Sequence, residues 1–162
     1  MMELSLFLVA FALFLSPVIG GLDPDIQCIN GIQTALSQLT FEDLDPTDYY
    51  GSRCTLGLFL TSFWACAKVF CTEKEIDAGT KLWGGYCTEY GMVELVPYSE
   101  VLPLLTEEYL AALPVVSYED IDPTKLWNTS VMLSESLYHT GARTTVRFQL
   151  MDEWRDGYTK DL

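Results

Sequence analysis

The sequence predicts an all-α fold, a small disulfide-stapled helical domain built around a central helical hairpin. Three observations carry this reading. Apolar residues recur at helical spacing before residue 71, four of the five cysteines fall between Cys54 and Cys87, and Thr72 with Glu75 supplies a helix-start signal between the two arms. In the first arm Phe59, Phe63, Ala67 and Phe70 share one helical face. The apolar run Leu56–Ala67 is twelve residues long, with Thr61 and Ser62 inside it. A membrane-spanning helix needs roughly 20 apolar residues, so the run is a core helix, placed over 53–71. The second arm follows over 73–90, weakened by Gly79, Gly84 and Gly85.

The chain before the hairpin begins with a targeting segment. Leu4–Leu15 is a twelve-residue apolar run, followed by Ser16, Pro17 and the small residues Val18 and Gly20. Residues 1–20 are assigned as a signal peptide, residues 21–155 as one helical cysteine-containing domain and 156–162 as a polar tail. Asp23-Pro24 then reads as an N-cap with proline at the first helical position. Ile26, Ile29, Ile32, Leu36 and Leu39 continue as an amphipathic helix, with Cys28 near its apolar face and Gly31 within it. Residues 40–48 form an acidic connection. Asp43, Asp45 and Asp48 lack the glycine and closing glutamate of a calcium loop, so a solvated loop is expected. Asp45-Pro46 is a second candidate helix start.

After Cys87, Gly91, Pro97 and Pro103 forbid one long helix. Short helices are expected, one capped by Ser99 and one beginning after Thr106, with Glu107 and Glu108 at its positive end. Leu110, Leu113, Val115 and Val116 are expected to pack on the hairpin. Asp122-Pro123 is a third helix start. An amphipathic pattern runs from Lys125 to about Arg155, broken near Gly141. Asn128-Thr129-Ser130 is an N-glycosylation sequon, placing Asn128 in an exposed turn.

The formal charge is −14 and the isoelectric point near 4.2. That balance argues against nucleic acid or an anionic membrane surface as partner. Secretion makes the five cysteines bridge formers; a metal site is the weaker reading, because no CxxC pair exists and the one histidine, His139, lies far along the chain. Around a turn at residues 71–72, Cys54 lies roughly 26 Å along one arm and Cys87 roughly 23 Å along the other, at about 1.5 Å per residue. A Cys54–Cys87 bridge would close the hairpin. Cys66, on the inner face with Phe59, Phe63 and Phe70, is the expected partner of Cys28, leaving Cys71 as the odd thiol. The alternative is that Cys71 takes Cys28 while Cys66 stays buried as a small hydrophobe.

No catalytic constellation is legible. There is no GxSxG elbow and no GxGxxG loop, only the lone pair Gly84-Gly85. No autonomous enzyme activity and no cofactor are expected.

The order of pieces nevertheless resembles the extracytoplasmic N-terminal region of fungal-type ferric-chelate reductases. The residues that carry it are Tyr50…Ser52-Arg53-Cys54, Cys66-Ala67-Lys68-Val69-Phe70-Cys71 with Glu75-Ile76 and Gly79, then Tyr86-Cys87…Tyr90-Gly91. Leu95-Val96-Pro97-Tyr98-Ser99, Leu113-Pro114-Val115-Val116 and Arg143-Thr144…Phe148 follow in the same order. In that family the chain continues into a membrane bundle whose paired histidines hold two haems, then into flavin- and NADPH-binding domains. His139 alone cannot supply such a pair. The resemblance therefore implies an accessory or binding module on the outer face of a reductase, with a membrane reductase core or iron-uptake partner. Its location would be extracellular, or the cell surface if the frame continues. The alternative function is a free-standing secreted interaction protein with an unrelated partner.

Overall fold

A computed structural model describes residues 23–160, with side-chain surroundings for all of these except residues 149 and 152–160. The signal peptide expected at 1–20 and the last two residues of the expected tail lie outside the described residues. Four longer helices carry the fold: α1 (Pro24–Leu36), α3 (Leu58–Phe70), α4 (Glu73–Tyr90) and α7 (Glu135–Lys160). Three are short: α2 (Gly51–Cys54), α5 (Tyr98–Val101) and α6 (Glu107–Ala112). Among the described residues, sheet is limited to two parallel pairs, β1 (Thr40–Phe41) with β3 (Leu126–Trp127) and β2 (Val115–Val116) with β4 (Met132–Leu133). The domain is a small all-α one, as the hydrophobic spacing predicts.

Helix α1 starts as expected. Asp23 Oδ1 accepts the Asp25 N–H at 3.0 Å, and Pro24 occupies the first turn. Its apolar side is fully used, with Ile29, Ile32, Ala35 and Leu36 entirely buried. The helix lies against α7, α4 and α3 together. Helix α7 runs parallel to it: Tyr138 meets Cys28, Ala142 meets Gly31 and Thr145 meets Thr34. This crossing needs glycine. A Cβ on Gly141 would stand 2.2 Å from the Gly31 carbonyl oxygen, and one on Gly31 would stand 2.8 Å from Ala142 Cα. Gly141 therefore does not break α7; it lets the backbone of α1 approach. Gly79 serves α4 likewise, since a Cβ there would lie 2.3 Å from Ile29 Cγ1.

The two arms of the hairpin meet at Cys71-Thr72 and touch through Phe63 and Trp83, ring centroids 5.9 Å apart. Thr72 and Glu75 form the expected capping box: the Glu75 N–H donates to Thr72 Oγ1, and the Thr72 N–H donates to Glu75 Oε2. The first arm is shorter than expected. It is interrupted at Thr55–Gly57, and α3 begins at Leu58, whose N–H donates to the Asp43 carboxylate at 2.6 Å. A Cβ on Gly57 would fall 2.3 Å from that carboxylate, so the break is built around Asp43.

Only one of the three Asp-Pro pairs starts a helix. In Asp45-Pro46-Thr47 and Asp122-Pro123-Thr124 the threonine N–H and hydroxyl both donate to the aspartate Oδ1, closing a tight turn. Asp23-Pro24 is followed by Asp25, which has no such hydroxyl. The expected helix from Lys125 is likewise replaced by extended chain up to Leu133, and α7 starts after Ser134, whose Oγ accepts the Leu137 N–H. The backbone then stays helical to Lys160, through most of the stretch expected as a tail. Ser99 caps nothing, because α5 begins one residue earlier, after Pro97. Thr106 does cap α6, accepting the Tyr109 N–H at 3.1 Å. Leu113 and Val116 reach the core as expected, whereas Val115 is exposed.

Gly141→Ala should destabilise the protein by about 1–3 kcal/mol through overpacking. Gly84, whose added Cβ meets nothing within 4 Å, should do the opposite on change to alanine, gaining about 0.5–1 kcal/mol. Urea unfolding of the two variants checks the opposite signs.

Candidate functional site

The cysteines are the residues that sequence reasoning placed closest to function. Cys54 and Cys87 are bridged, Cα atoms 5.8 Å apart, closing the open end of the hairpin. The second bridge is Cys28–Cys71, also with Cα atoms 5.8 Å apart. This corrects the expected Cys28–Cys66 pair and matches the alternative, in which Cys71 takes Cys28 and Cys66 stays buried as the free thiol. The reason is which side of α3 each cysteine occupies. Cys71 lies past the last turn, where α1 passes, and Tyr138 covers that bridge with its hydroxyl donating to Cys28 Sγ at 3.2 Å.

Cys66 faces the opposite partner. It stands one helical turn after Ser62, and together they receive the extended segment 131–134. The Val131 N–H donates to Ser62 Oγ at 2.9 Å and the Leu133 N–H to Cys66 Sγ at 3.4 Å. The intervening amides of Met132 and Ser134 donate to the Pro114 and Val116 carbonyls. Alternate amides thus point to opposite sides, as strand geometry requires, and one side is satisfied by side chains of a helix. Ser62 is entirely buried and is itself satisfied, donating to the Leu58 carbonyl at 2.6 Å. Burial pushes the Cys66 thiol up to about 12 from a usual 9.0, against a smaller lowering by the Leu133 N–H. The folded protein therefore holds this proton where the unfolded chain releases it. Its contribution is intact below pH 9 and is lost as pH rises toward 12. At neutral pH the thiol is a protonated packing group, not a nucleophile.

The other singled-out residues stay apart. Asn128 is exposed between β3 and β4, while the Ser130 hydroxyl is buried and donates to the Leu58 carbonyl. His139 lies on the exposed side of α7, 3.6 Å from Glu135. Asp43, Asp45 and Asp48 each accept backbone N–H groups, from Leu58, Thr47 and Gly51. Their spacing serves turns and caps. Among the described residues, no group of three or more histidine, cysteine or acidic side chains is arranged to hold a metal ion.

Among the described residues, two concave places combine acidic, basic and hydroxyl groups. One is a cleft of about 470 Å³ beside Cys71, lined by Lys68, Glu73, Ile76, Asp77, Tyr98 and Leu102. Lys68 is held there by the Leu105 carbonyl. Burial and then the Glu73 charge raise the Tyr98 hydroxyl above its usual range. The other is a smaller cavity at Arg53, between the 39–46 segment and α2. Sequence reasoning treated Arg53 only as part of a motif, because a single arginine carries no periodic signal. Among the described residues, neither place sets an acid and a base around a nucleophile.

Comparison with protein-family models, curated proteins and solved structures gives no match for this chain.

Removing either side-chain acceptor on α3 leaves a buried amide without a partner. Ser62→Ala and Cys66→Ala should each cost about 1–3 kcal/mol, read as a lower urea midpoint. A neutral effect at both sites would show that the segment is held by packing alone.

Proposed function

We propose that this chain is an extracytoplasmic binding module of the kind that lies on the outer face of a ferric-chelate reductase, acting with a membrane partner and not catalytic alone. The observation that carries the reading is where the resembling residues fall. Cys54, Cys87 and Cys71 form bridges, and the Leu95-Val96-Pro97-Tyr98 segment is tied to that framework. The Val96 N–H donates to the Cys54 carbonyl, and the Val96 carbonyl accepts Trp64 Nε1–H at 3.1 Å. Segments that resemble the family thus meet in space as one scaffold. Two bridges in a chain of this size also suit an oxidising compartment. No helix among the described residues is long and apolar enough to cross a membrane. In this reading Asn128 carries an N-glycan and the cleft beside Cys71 contacts the partner or its chelated iron.

The test is a chimaera in which residues 21–162 replace the outer region of a fungal-type ferric-chelate reductase. Cells bearing it should assemble haem and reduce ferric chelates at the surface. Haem assembly without ferric reduction, where the parent reductase works, would sink the proposal. The purified protein by itself should be colourless and should not reduce ferric chelates with NADPH; a stoichiometric Soret band would overturn the assignment as an accessory module.

A further inference from the structure

Arg53 is a cation placed without an acid. It is half-buried in a chain of formal charge −14, yet no carboxylate among the described residues forms an ion pair with it. The guanidinium is held by other means. Its carbon lies 3.9 Å from the Tyr49 ring centroid and 5.3 Å from that of Phe59, and Nη1 donates to the Tyr49 carbonyl at 2.9 Å. Nε is buried with no hydrogen-bond partner. Aromatic faces and one carbonyl fix the head group but do not neutralise it. Burial lowers its affinity for the proton, with the Tyr49 hydroxyl opposing.

The cavity beside it holds about 200 Å³ and is lined by Ser37, Leu39, Thr40, Leu44, Asp45 and Pro46 besides Tyr49 and Arg53. Its polar groups suit an anion. The Tyr49 hydroxyl accepts from Gln33 Nε2 at 2.9 Å and lies 3.3 Å from Ser37 Oγ, so its own proton can be donated. Asp45 is the one acid on the wall. Its Oδ1 is engaged by the Thr47 N–H and hydroxyl, which keep the carboxyl below its usual range and therefore ionised, so a bound anion sits at the Arg53 end of the cavity, where the guanidinium outweighs this charge. Leu39, Leu44 and Pro46 supply the apolar part of the wall, beside Thr40.

We infer that this cavity binds a small organic carboxylate, its anionic end on Arg53 and the Tyr49 hydroxyl and its carbon chain against Leu39, Leu44 and Pro46. A planar guanidinium matches a carboxylate better than an ammonium does. The volume admits a ligand of a few heavy atoms, not a polymer. This site is separate from the cleft beside Cys71 and does not depend on the reductase reading.

The experiment is titration of the oxidised, ¹⁵N-labelled protein with acetate, succinate and inorganic phosphate at constant ionic strength, followed by amide and Arg53 Nε–H resonances. Acetate and succinate should give saturable shifts centred on residues 37–53. Arg53→Lys, which keeps the charge but loses the planar fork, should weaken binding about tenfold. Thr40→Trp fills the cavity while leaving Arg53 in place, and it should abolish the response. This second variant keeps the test decisive if substitution of Arg53 perturbs folding. Shifts that do not saturate, that survive Thr40→Trp, or that are as large with phosphate as with acetate would each overturn the inference.

Discussion

Helix α1 is held at three points, and the rest of the architecture depends on that placement. The Cys28–Cys71 bridge ties it to the turn between α3 and α4. Gly31 meets Gly141 and Ala142 of α7, and Ile29 meets Gly79 of α4. Two of these contacts require a missing Cβ, so they are specific in position as well as favourable. With α1 so placed, Ile29, Ile32, Ala35 and Leu36 are entirely removed from water, and both arms of the hairpin share one core. Each bridge also restricts the unfolded chain. Their loops span 43 and 33 residues, for which chain entropy contributes about 4 kcal/mol apiece.

The second constraint is the seating of residues 131–134 between α3 and β2. A helix side chain rarely stands in for a strand partner, but Ser62 and Cys66, one turn apart, match the spacing of alternate amides along an extended segment. This explains why the most apolar helix carries a serine at a fully buried position. It also fixes the start of α7, because Ser134 follows directly and caps it.

Sequence reasoning reached what is local and periodic. The capping box at Thr72 and Glu75, the Asp23-Pro24 start, the Thr106 cap and the Cys54–Cys87 closure depend on near neighbours or on helix rise, and both are legible in order along the chain. It failed where a distant residue decided. The break before Leu58 needs Asp43, the extended segment at 126–133 needs β1, β2 and α3, and the pairing of Cys28 needs the path of α1 past Cys71. Hydrophobic spacing cannot tell the side of α3 that faces α1 from the side that faces β4, since both are buried. Two of the Asp-Pro pairs were misread for a local reason: the threonine that follows each converts a helix start into a turn. The Arg53 cavity was beyond reach, because its wall joins the end of α1, the 39–46 segment and α2, which no single periodic stretch brings together.

Helix α1 is tethered through Cys71, and Cys66 remains a reduced acceptor inside the fold. Peptide mapping of the non-reduced protein, alkylated before and after unfolding, distinguishes this arrangement from the other pairing. It should return Cys28–Cys71 and Cys54–Cys87 as the linked peptides, with Cys66 labelled only after unfolding. A Cys28–Cys66 peptide, with Cys71 labelled in the native protein, would contradict the placement of α1.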